Sequence, residues 1–64
     1  MSMVFTYRMN NEIKKTEPMC QCVKIKDFAR YFGGTQVRLG NEVLDPEKSF
    51  SDYKIAWDDV VLDL

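Results

Sequence analysis

Phe50-Ser51-Asp52-Tyr53-Lys54-Ile55 is the stretch on which the fold of this chain turns. Phe50 and Ile55 are placed to flank a tight turn and plug the bottom of a core, with Tyr53 packed between turn-forming neighbours. The chain then runs into Val60-Val61-Leu62-Asp63-Leu64, whose alternation puts Val60, Leu62 and Leu64 on one face and Val61 and Asp63 on the other. That is a final, half-buried strand. Trp57, the single tryptophan, stands in the turn before it. Its large area and polar handle suit either a partner-binding hot spot or a cover over the sheet edge, and the sequence leaves both open.

Working back from Phe50, Asp45-Pro46-Glu47 is a capped turn with proline at its favoured early position. Val43-Leu44 is a very short strand and Gly40-Asn41-Glu42 a turn. Gln36-Val37-Arg38-Leu39 is a third strand with Val37 and Leu39 inward. Before it, Ile25, Phe28, Ala29 and Phe32 fall at i, i+3, i+4 and i+7, one stripe of a short amphipathic helix. Lys26 or Asp27 is expected to begin that helix, and Gly33-Gly34 to end it in a left-handed cap. A helix this short depends on the packing of Phe28 and Phe32.

At the other end, Met3, Phe5, Tyr7 and Met9 alternate with Val4, Thr6 and Arg8 in a first strand, and Asn10-Asn11 supplies a turn. Two segments compete for the second strand. Glu12 to Thr16 has only Ile13 as an apolar residue, whereas Met19-Cys20-Gln21-Cys22-Val23-Lys24-Ile25 has stronger β character. The second is preferred, which makes residues 10–18 a long polar connection with Pro18 at the strand's entrance. The expected architecture is α+β: a mixed sheet of four to five strands with one short helix across one face.

Composition narrows the function classes. Sixty-four residues allow one domain, residues 1–64, with a modest core; such a chain buries only about 60% of its unfolded surface. A hydrophobic fraction of 45% and a charged fraction of 30% argue against disorder. The net charge of −1 offers no basic excess to neutralise phosphates, so nucleic acid is not the expected partner. No apolar run approaches the roughly 20 residues that span a bilayer and no signal peptide is legible, so no membrane partner and a cytoplasmic or nuclear location are expected. Cys20 and Cys22 would share one face of a strand, too close to bridge comfortably, and read as free thiols in a reducing compartment.

The stretch 36–55 resembles the second half of ubiquitin and aligns with it without a gap. Ser51-Asp52-Tyr53-Lys54-Ile55, preceded by Phe50 and followed by an apolar last strand, carries the resemblance. Val37, Leu39 and Leu44 match apolar strand positions, and Ile25, Phe28 and Phe32 repeat the helix spacing; the first strand matches in pattern only. The resemblance implies a ubiquitin-like β-grasp in which the Tyr53 hydroxyl lies across the preceding loop and satisfies a backbone amide near Asp45. The departures bear on function. Only Gly33-Gly34-Thr35 joins the helix to the third strand, a connection much shorter than ubiquitin's. The chain stops at Leu64 with no Gly-Gly tail for activating enzymes to adenylate, the central isoleucine of ubiquitin's binding patch falls on Arg38, and the patch's histidine has no counterpart.

Catalysis lacks its usual parts: there is no histidine and no glycine-rich phosphate loop. Asp52, Asp58, Asp59 and Asp63 lack the spacing of a calcium loop, and Cys20-Gln21-Cys22 lacks two ligands for zinc, so neither metal nor cofactor is expected. The lysines 14, 15, 24 and 26 read as a solvated edge that discourages strand aggregation. The expectation is therefore a monomeric, non-catalytic module that binds another protein, with a modifier lacking its tail as the alternative. By alternation the sheet face away from the helix carries Thr6, Arg8, Arg38, Val61 and Asp63. Gly40 and Trp57 complete the expected partner surface, which suits an acidic or aromatic segment.

Overall fold

The computed structural model of the chain describes residues 2–64. Its first strand is interrupted: β1 (Ser2–Met3) is separated from β2 (Thr6–Met9) by Val4 and Phe5. Thr16 holds the interruption. Its hydroxyl accepts the Phe5 amide at 3.0 Å while its own amide donates to the Phe5 carbonyl at 2.9 Å, so both polar groups of a buried residue are satisfied.

The second strand is not where apolar content places it. Asn10 and Asn11 both adopt positive φ, 53° and 65°, the geometry of a two-residue hairpin loop. The chain turns back at once, and β3 (Glu12–Lys15) pairs antiparallel with β2, from Met9 opposite Glu12 to Thr6 opposite Lys15. Residues 10–18 are therefore no long connection. Of the preferred segment only β4 (Met19–Cys20) is a strand, pairing with β1. All four residues of β3 are exposed, so hydrophobicity carried no signal there and turn geometry decided the pairing.

The helix α1 (Ile25–Tyr31) begins at Ile25, ahead of the expected Lys26 or Asp27. Lys24 is its N-cap without a side-chain cap, because the following loop performs that task. The Ile25 amide donates to the Lys48 carbonyl at 2.9 Å and the Lys26 amide to the Pro46 carbonyl at 3.1 Å. The C-terminus stops as the glycines require: Gly33 has φ +81°, its amide donates to Arg30, and the Gly34 amide reaches back to Ala29 at 2.7 Å. These two bonds make a Schellman motif.

Three more strands complete the main sheet: β5 (Arg38–Leu39), β6 (Glu42–Val43) and β7 (Val61–Asp63). Its order is β3-β2-β7-β5-β6, with β7 parallel to β2 and the other pairs antiparallel. The result is an α+β domain with a mixed sheet and one helix. Phe28 of α1 meets Phe5 and Tyr7 of the first strand segment with ring centroids 5.4 and 6.4 Å apart, so the helix lies on that face. Phe5, Ile25, Phe28, Val37, Leu44, Phe50, Trp57 and Leu62 are the largest fully buried side chains; Met3, Val23, Phe32, Leu39, Ile55 and Val60 pack around them half-buried.

The segment 49–53 is tied down at both ends. Ser49 and Asp52 form a reciprocal capping box around a single 3-10 turn, Phe50–Asp52. The Ser49 amide donating to it, followed by the Ser49 hydroxyl, holds the Asp52 carboxyl below the usual carboxylate range. The Tyr53 hydroxyl accepts the Asp45 amide at 2.9 Å, the bond that the resemblance to ubiquitin implies. Tyr53→Phe is expected to lower stability by about 1 kcal/mol with the fold unchanged, read from paired urea titrations. A neutral result would mean that water replaces the hydroxyl at no cost.

Candidate functional site

Strand register assembles the exposed sheet face row by row, since residues directly opposite one another project from the same side. Arg8 stands opposite Ile13 on β3 and Asp63 on β7; Asp63 stands opposite Arg38 on β5; Arg38 stands opposite Val43 on β6. One row, Ile13–Arg8–Asp63–Arg38–Val43, thus crosses all five strands. A second row follows two residues away: Lys15, Thr6 and Val61. Tyr7 and Leu62, the residues between, point into the core on the helix side.

The electrostatics of this face are uneven. Arg8 Nη1 donates to Asp63 Oδ1 at 3.3 Å, an ion pair with both side chains open to water and worth at most about 1 kcal/mol. Among the described residues Arg38 has no ion-pair partner, and its guanidinium is exposed. With Lys15 in the second row, three cations share the face with one carboxylate. Apolar side chains close the long row at both ends: Ile13 is 61% and Val43 51% exposed, two of the few large hydrophobic side chains that remain in water.

The structure brings together Thr6, Arg8, Arg38, Val61 and Asp63 as alternation predicts. Gly40 stands apart in the turn after β5, exposed at φ +62°, where an added Cβ would meet nothing within 4 Å. Trp57 is corrected: it is 1% exposed and belongs to the core, its indole N–H donating to the Phe50 carbonyl at 3.1 Å. It can touch no partner. Ile13, Lys15 and Val43 are not among the expected surface residues: a second strand at 19–25 leaves Ile13 and Lys15 in a connection, and a strand as short as Val43-Leu44 has too little alternation to assign Val43 a face. The Asn10-Asn11 pair was the signal that could have found Ile13 and Lys15.

Cys20 and Cys22 are also corrected, for they form a disulfide, with Cα atoms 5.1 Å apart. The expectation of two thiols on one strand face fails because β4 ends at Cys20. Gln21 and Cys22 already lie in a turn, closed by the Val23 amide donating to the Cys20 carbonyl at 3.3 Å. A groove of about 290 Å³ is lined by the connection after β3, from Lys15 to Met19, together with Tyr31 and Phe32. Among the described residues no three His, Cys, Asp or Glu side chains gather closely enough to hold a metal ion, and no helix is long and apolar enough to cross a membrane. No family model matches the chain, and neither a curated protein nor a solved structure proves similar to it.

Proposed function

We propose that this chain is a ubiquitin-like β-grasp domain that acts by binding another protein non-covalently through the face built on Arg8, Asp63 and Arg38. Its strand order supports the fold reading. A hairpin leads into a helix, and the last strand enters the sheet parallel to the first, between the two antiparallel pairs. The observation that carries the functional reading is Arg38: an exposed arginine without an ion-pair partner among the described residues, in register between Asp63 and the exposed Val43. Arginine binds carboxylates through a planar fork and stacks on aromatic rings. The complementary partner is a protein segment that carries carboxylates for Arg8, Lys15 and Arg38 beside an aromatic or aliphatic side chain for the apolar ends of the row.

Arg38→Glu is the test. Because the residue is exposed, the melting curve should stay within about 0.5 kcal/mol of the parent. Capture of the partner should fall, more at 50 mM salt than at 500 mM, since added salt screens exposed charge. A partner whose chemical-shift footprint lies on α1 alone, or whose capture is indifferent to Arg38→Glu at low salt, would show that the sheet face is not the binding surface.

A further inference from the structure

The Cys20-Gln21-Cys22 turn is not absorbed by the binding face and contributes nothing to the core. We propose that its disulfide is a thiol–disulfide exchange site that takes two electrons from an external dithiol. Both cysteines are exposed, so a thiolate can reach either sulfur. Exposed bridges are the labile ones, and a ring of only three residues withdraws little entropy from the unfolded chain, so the fold scarcely resists its opening.

The turn keeps its shape without the bridge. The Val23 amide bonds the Cys20 carbonyl, and the carbonyl of Gln21, between the two cysteines, accepts the Ser51 amide at 2.9 Å. Neither bond involves sulfur. After opening, the two thiols stay side by side and poised to close again.

Geometry also gives the exchange a direction. The Cys22 amide donates to Cys20 Sγ at 3.2 Å. A donor aimed at a sulfur stabilises it as thiolate, and the sulfur that leaves best is the one whose thiolate is better stabilised. The incoming thiolate therefore attacks Cys22 Sγ. The S–S bond to Cys20 breaks, its electron pair goes to Cys20 Sγ, and a mixed disulfide forms on Cys22. The second thiol of the reductant, deprotonated, then attacks its own sulfur in that mixed disulfide and releases Cys22 as thiolate. The dithiol leaves as a disulfide, and its two protons end on Cys20 and Cys22.

The full chain, oxidised in air, is titrated with dithiothreitol without denaturant, and free thiols are alkylated and weighed. A twofold excess should open at least about nine-tenths of the bridge, with far-ultraviolet circular dichroism and Trp57 emission unchanged. With glutathione, acid quenching and peptide mapping should find the adduct on Cys22 at least about tenfold over Cys20. Any of four results overturns the proposal: two alkylated thiols before any reductant is added, a bridge still closed in a hundredfold excess, loss of fold as the bridge opens, or glutathione equally or preferentially on Cys20.

Discussion

Phe28→Ala is expected to unfold most of the protein at room temperature. Phe28 has no exposed surface and sits at the centre of the aromatic cluster, with ring centroids 4.9 to 5.4 Å from Phe32, Phe50 and Phe5. Truncation removes those contacts and leaves a cavity that helix and sheet cannot both close, at a cost of about 3–5 kcal/mol. A single core in a domain of this size rarely supplies more than about 3–5 kcal/mol, so the loss takes most or all of it. Because α1 is only seven residues long, it cannot persist once its anchor is gone. Far-ultraviolet circular dichroism in a urea series reads the result. A variant that melts cooperatively within a few degrees of the parent would mean that α1 does not pack through Phe28.

Trp57→Ala should be as severe, for a different combination of reasons. The indole is 1% exposed, packs edge-on against Phe50 at 5.0 Å and against Tyr53 at 6.2 Å, and is the sole side-chain donor to the Phe50 carbonyl. Alanine removes the ring and one of the two donors to that carbonyl, leaving only the Tyr53 amide at 3.2 Å, together about 3–5 kcal/mol. Trp57→Phe separates the two contributions. It keeps most of the ring contact but loses the donor and some volume, so about 2 kcal/mol is expected. Circular dichroism is the appropriate probe, since both variants remove the fluorophore. A Trp57→Ala chain that stays folded but no longer captures the partner would return this residue to the binding surface, against its position in the core.

What sequence alone determined is what short-range chemistry controls. The helix stripe Ile25–Phe28–Ala29–Phe32 and its stop at Gly33-Gly34 were legible because helical period and a left-handed cap are properties of neighbouring residues. Alternation in 60–64 correctly divided inward Leu62 from outward Val61 and Asp63, because a strand with one buried face writes its register into composition. The Tyr53 bond to the Asp45 amide is present as the resemblance to ubiquitin implies, not as periodicity or alternation shows. Tertiary structure decided the rest. Glu12–Lys15 became the second strand although none of its residues is buried, since pairing to β2 through Asn10-Asn11 rewards backbone hydrogen bonds that side-chain hydropathy does not report. The helix began at Ile25 because carbonyls of Pro46 and Lys48, some 20 residues away in sequence, receive its first amides. Trp57 went inward because the Phe50 carbonyl, held by the capped turn Phe50–Asp52, was there to accept its N–H. A tryptophan in a turn carries the same local signal whether it faces solvent or core, and only the arrival of Phe5, Phe50 and Tyr53 around it settles the direction.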